Sequence, residues 1–141
     1  MQYLAYIPLM TVLLILYVAM AMVGVDFTTT AEPVFTLGLP SNATFAPTWG
    51  DFLIILGVVT LYLEILKSTR TSTASIFEHV FSTLVFILFL VLFILMESAG
   101  TSTFLILTFM AALDVIAGFT ITISTARRDF SMGTHPHTPA D

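Results

Sequence analysis

Four apolar runs dominate the chain: Tyr3 to Val25, about Asp51 to Leu66, Ile76 to Met96, and Phe104 to Ser124. A helix needs about 20 mostly apolar residues to cross the ~30 Å hydrocarbon core of a bilayer. The first, third and fourth runs meet that length. The second is slightly short, with Trp49 to anchor its outer end and Lys67 to snorkel at its inner end. None of the runs alternates with period two between turn signals, as the strands of a membrane barrel do. Hydrocarbon offers no partner to a backbone amide, so each run must close its own hydrogen bonds as a helix. The expected fold is all-α, an integral membrane bundle of four transmembrane helices over residues 1–130. A flexible tail rich in Gly, Pro and Thr is expected to follow over 131–141.

Two helix starts are marked locally. Thr48-Trp49-Gly50-Asp51 and Ser75-Ile76-Phe77-Glu78 both fit the capping-box pattern, in which a side-chain oxygen accepts from amides that lack helical partners. Gly100 suits a tight turn between the third and fourth helices. Short connections between helices two and three, and three and four, predict that each of these pairs is in contact. The segment Asp26–Gly50 is long, carries Pro33, Pro40 and Pro47, and is apolar in places. It is expected to lie on the outer membrane surface, or to pack on the bundle or a neighbouring subunit. Ala19-Met20-Ala21 resembles a signal-peptidase site. The amino end has no Lys or Arg, however, and the apolar stretch is too long for a signal core, so the first run is read as a retained helix.

Composition supports the membrane assignment. Hydrophobic residues make up 57% of the chain and charged residues 9%, against roughly 45–50% and 25% in soluble domains. The few cations then set the orientation. Lys67 and Arg70 fall between helices two and three, Arg127 and Arg128 follow helix four, and the other two loops have no Lys or Arg. With an even number of spans both cationic segments lie on one side, which the positive-inside rule places in the cytoplasm, so both termini are expected there. The chain is thus expected in a bilayer, most simply a bacterial inner membrane. With four Lys and Arg in all, it has no basic patch for a phosphate backbone, so no nucleic-acid partner is expected. The absence of cysteine excludes disulfides and thiol chemistry.

Asp114 carries the most chemical information. It falls near the middle of the fourth run, where a carboxylate costs roughly 2.5–3.5 kcal/mol to insert and so should face other helices. Thr108, Ala111, Gly118, Thr122 and Thr125 share its face at three- and four-residue steps, a small polar stripe suited to close helix contact. Two readings stand side by side: a proton- or cation-handling carboxylate, and a hydrogen-bonded group that fastens two helices. Gly57, Thr60 and Glu64 form a similar stripe on helix two, with Lys67 three residues beyond Glu64. Glu64, Glu78 and His79 sit at similar inner depth and together suggest a proton entry towards Asp114, with Ser82, Thr83, Thr60 or water bridging the gap.

Other candidates have plain alternatives. No second intramembrane His accompanies His79 for a haem, and His135-x-His137 reads as solvated tail, so no metal site or cofactor is indicated. Phe86, Phe89 and Phe93 share one side of helix three and are expected to face lipid or a partner helix. Asn42-Ala43-Thr44 fits the glycosylation sequon, which matters only in a eukaryotic secretory membrane. No nucleotide-binding, zinc-protease or nucleophile-elbow motif occurs, and the chain is not expected to be an enzyme. The leading expectation is an accessory, structural subunit of a larger membrane complex, in contact with other membrane subunits or copies of itself. The alternatives are a small oligomeric channel or proton- or cation-coupled transporter with Asp114 in the path, and a pigment- or quinone-associated subunit.

Overall fold

The apolar runs fold as helices. A computed structural model describes residues 8–68 and 74–132 of the protein, with the backbone alone for 74–77, 122 and 125–132. The elements are α1 (Leu9–Met22), a two-stranded hairpin of β1 (Leu37–Gly38) and β2 (Thr44–Phe45), α2 (Trp49–Ser68), α3 (Ala74–Leu95), a 3-10 turn (Glu97–Ala99) and α4 (Ser102–Met132). The chain is therefore mostly helical with four helices. Three of them, α2, α3 and α4, are long and apolar enough to cross a membrane.

α1 is shorter than expected. Its 14 residues rise about 21 Å at 1.5 Å per residue, less than the ~30 Å core. The predicted start at Tyr3 lies outside the described residues. The predicted end at Val25 is corrected to Met22, because Gly24 takes a φ of 90° and stops the helix. The Val25 amide donates to Met20 O at 3.0 Å and the Gly24 amide to Ala21 O at 3.1 Å, the two bonds of a Schellman ending. At the other extreme, α4 continues past Ser124 to Met132. It takes in Ser131 and Met132 of the expected tail; the rest of that tail lies outside the described residues.

Contacts fix the helix directions. Tyr17, near the end of α1, donates its hydroxyl to Ser98 O at 2.8 Å and sits 2.8 Å from Thr101 Oγ1, just before α4. Gly50, at the start of α2, lies against Thr103 at the start of α4. Leu9, at the start of α1, meets Glu64 near the end of α2, and His79 early in α3 meets Gly118 late in α4. So α2 and α4 run parallel, with α1 and α3 opposed to them. α4 is the central helix and packs along both α2 and α3, while α1 leans mainly on α2. The expected α3–α4 contact is present. Between α2 and α3 the described backbones approach far less than either does α4, and the expected contact is made at one end by Lys67 of α2 with Glu78 of α3.

Buried positions follow helical spacing. α1 turns Met10, Leu13, Leu14 and Tyr17 inward, and α2 turns Gly50, Leu53, Gly57, Glu64 and Ser68. Gly57 permits a close approach: a Cβ there would lie 2.8 Å from Met110 Sδ and 2.9 Å from Leu107 Cδ2. Phe104 gathers aromatic contacts, with ring centroids 4.6 Å from Tyr17, 5.3 Å from Phe89 and 6.5 Å from Phe93. Phe89 is fully buried, so it belongs to the core. Phe86 and Phe93 line an open apolar groove between α3 and α4.

The Asp26–Gly50 segment is folded. Phe27 returns to the core and stacks on Tyr17 at 4.4 Å. Beyond it, Leu37 pairs with Phe45 and Gly38 with Thr44 in antiparallel register. The Leu39 amide bonds Ala43 O at 2.8 Å, and Asn42 takes a φ of 63°. This is a three-residue hairpin loop closed by a left-handed residue, a position that tolerates Asn. The Thr48 capping box forms as expected: the Thr48 amide donates to Asp51 Oδ2 at 2.7 Å and the Asp51 amide to Thr48 Oγ1 at 3.4 Å. The described part of α3 starts at Ala74, and the side chain of Ser75, on which the second box depends, lies outside the described residues.

Candidate functional site

The end of the bundle opposite the hairpin holds a group of charged and polar side chains contributed by three helices. α2 presents Glu64 and Lys67 one turn apart. Glu64 is 4% exposed. Two features draw it inward. Pro8 precedes α1 with no side-chain cap, and the Leu9 amide donates instead to Glu64 Oε1. A carboxylate from α2 thus satisfies an amide at the start of α1, where the helix dipole favours negative charge. Lys67 Nζ lies 3.9 Å from Glu64 Oε2 and 3.6 Å from Glu78 Oε1. One ammonium therefore links carboxylates on α2 and α3. Ser68 adds a bond from Oγ to Glu64 O at 3.0 Å.

α3 contributes Glu78, His79 and Ser82. His79 and Ser82 are buried. The His79 ring packs where Gly118 of α4 has no side chain: a Cβ there would lie 2.5 Å from His79 Nδ1. Phe119 sits beside the ring, with centroids 5.7 Å apart. Ser82, about one turn further along α3, hydrogen-bonds the Asp114 carboxylate of α4. His79 and Lys67 lie near enough to act on the charge of Asp114, as Asp114 and Glu78 do on that of Glu64. Asp114 is 5% exposed, and Thr108, Ala111 and Gly118 are buried along the same face of α4.

The structure thus brings Asp114, Glu64, Glu78, His79 and Lys67 into one electrostatic group, with Ser82 as the hydroxyl that reaches Asp114. Thr60 is placed elsewhere. It lines an open groove between α1 and α2 with Leu13, Leu56 and Leu63. Thr83 turns back to its own helix, donating to His79 O at 2.7 Å. Arg127 and Arg128 lie on the final turns of α4. Their side chains, those of Thr122 and Thr125, and the whole of Arg70, His135 and His137 lie outside the described residues. Trp49 stands at the hairpin end, half exposed beside Phe52. Among the described residues, no three His, Asp or Glu side chains are grouped as metal ligands.

Two participants escaped sequence reasoning. The Leu9 amide carries no sequence signal beyond the Pro before it. Tyr17 looks like any apolar-run tyrosine until Ser98 and Thr101 meet its hydroxyl. At the hairpin end, the exposed Asp26 carboxylate accepts from the Thr28 amide at 2.8 Å and the Thr28 hydroxyl at 3.0 Å. These bonds favour its charged form and hold its pKa below the ordinary value.

Chemically, the group offers three carboxylates, an ammonium, an imidazole and a hydroxyl. The arrangement can tie four helices together, and its carboxylates lie near enough for Asp114 and Glu78 to act on the charge of Glu64. Comparison with known protein families, with characterised proteins and with solved structures finds no match to the chain.

Proposed function

We propose that the chain is a four-span protein of a bacterial inner membrane, with both ends in the cytoplasm, that serves as a non-catalytic accessory subunit of a larger membrane complex. The observation that carries this reading is how the interior polar groups are used. Glu64 holds the start of α1 and the Lys67 ammonium, Lys67 holds Glu78, and Ser82 holds Asp114. All but the Glu64–Lys67 pair, which lies within α2, join one element to another, as expected of polar groups that fix helix packing in lipid. The exposed apolar faces of the helices supply contact area for lipid and for neighbouring subunits. Four crossings would put the Lys67 and Arg127 segments on one side, as the charge bias requires. Purification in mild detergent tests the subunit reading. The expected outcome is an assembly far heavier than the 15.5 kDa chain with a partner in fixed ratio. A stable, monodisperse single chain contradicts it.

The continuity of the polar group favours a second reading, a proton- or cation-conducting role with Asp114 in the path. Flux through liposomes separates the two. Asp114→Asn abolishes conduction if the carboxylate carries the ion. No conduction by the purified protein, or conduction untouched by the substitution, rejects this role.

A further inference from the structure

The hairpin has two unlike faces. Side chains alternate across a strand, so the register Leu37–Phe45 puts Leu37, Leu39, Ala43 and Phe45 on one face and Gly38 and Thr44 on the other. Phe35 joins the apolar face through ring contacts with Phe45 at 6.1 Å and with Phe52 of α2 at 6.4 Å. The bundle does not cover this face: Leu37 is 54% exposed, Leu39 41% and Phe45 49%. A lone two-stranded hairpin is marginally stable in water and needs something against its apolar side.

We propose that this hairpin is a lipid-binding element whose apolar face rests in the outer headgroup boundary of the bilayer, beside the start of α2. Three observations select lipid as the occupant. Phe35 of the apolar face meets Phe52 of α2, whose exposed Phe52, Ile55, Leu56 and Val59 recur at three- and four-residue steps along a helix that is itself apolar enough to span. Trp49, a residue suited to the membrane–water boundary, marks that level. No charged residue occurs from Pro33 to Gly50, so the surface offers a protein partner no ionic handle and suits uncharged lipid. The proposal rests on the reading that α2 crosses the bilayer.

Trp49 is the single tryptophan, so Trp49→Phe gives a silent background for one-site probes. Leu39→Trp and Phe45→Trp report the hairpin, and Val58→Trp reports the exposed middle of α2. The full chain is placed in phosphatidylcholine vesicles carrying bromine near the headgroup end or deep in the acyl chains, with aqueous iodide as the opposing quencher. The hairpin probes are expected to lose emission several-fold to shallow bromine and little to iodide, and Val58→Trp to respond to deep bromine. Iodide quenching of both hairpin probes overturns the proposal, because the face is then in water. Protection from both quenchers overturns it equally, because the face is then covered by protein. Loss of the deep-bromine response at Val58→Trp refutes the spanning reading itself, and the hairpin proposal falls with it.

Discussion

Gly118 and Gly57 are both buried interface glycines, yet their neighbours differ in how far they can yield. A Cβ at Gly118 meets the His79 ring at 2.5 Å, whereas one at Gly57 meets the side-chain ends of Met110 and Leu107. A ring held between α3 and α4 cannot step aside without shifting a helix, while Met and Leu termini can change rotamer. Gly118→Ala is therefore expected to destabilise the fold by about 1–3 kcal/mol, the usual cost of overpacking, beyond the ~1 kcal/mol that alanine gains in helix propensity. Gly57→Ala should come out near neutral. Unfolding in mixed detergent micelles checks the pair, with His79→Ala expected to relieve Gly118→Ala. Equal losses at the two glycines would contradict this account of the His79 packing.

Lys67 is the other residue on which the packing turns. Removing it leaves Glu64 and Glu78 facing each other without their shared cation. Breaking a buried pair costs about 3–5 kcal/mol, and the Lys67 side chain is 25% exposed, so a loss on the order of 2 kcal/mol is expected for Lys67→Met. Replacing Glu64 by Gln in the same chain should recover part of it. The roles of these residues were partly readable in advance. A carboxylate deep in an apolar run must find company, which pointed to Asp114, and its small-residue stripe pointed to the contact face. The identity of the company was not readable, because sequence does not fix how each helix rotates about its axis. Ser82 and Thr60 looked equivalent as bridges to Asp114, and helix rotation sends Thr60 to the α1–α2 groove instead.

At the scale of the elements, hydrophobic run length located all four helices, and local capping placed the start of α2. Pairing was harder to read. Short loops suggested that successive helices touch, yet a connection sets how far apart two ends can be, not what lies between them. The small faces of α4 admit both α2 and α3, and α2 meets α3 directly through Lys67 and Glu78 at one end. The hairpin escaped because its strands are two residues each, although Leu37 and Leu39 before Pro40-Ser41-Asn42 already show period-two spacing ahead of a turn. The parallel course of α2 and α4 has a direct check in a chain free of cysteine. A Cβ built at Gly50 lies 3.5 Å from Thr103 Cβ, within the ~3.5–4.5 Å span of a disulfide. Gly50→Cys with Thr103→Cys should crosslink nearly completely on mild oxidation. A pair that stays reduced would mean that the starts of α2 and α4 are not neighbours.

Contacts orient the helices in alternating directions, so the α2–α3 connection and the end of α4 lie at one end of the bundle and the hairpin at the other. Among the described residues, Lys67 falls at the first of these ends, and Arg127 and Arg128 lie on the final turns of α4 there. That coincidence fits the proposed topology, in which α3 and α4 both cross between the two cationic segments, with the polar group of Glu64, Lys67, Glu78 and His79 towards the cytoplasm and the hairpin outside. Labelling of single cysteines with a membrane-impermeant reagent tests this most directly, in intact cells and again after permeabilisation. Thr30→Cys should react in intact cells, and Thr71→Cys and Thr134→Cys only after the membrane is opened. Reaction of Thr71→Cys and Thr134→Cys from opposite sides would contradict the account.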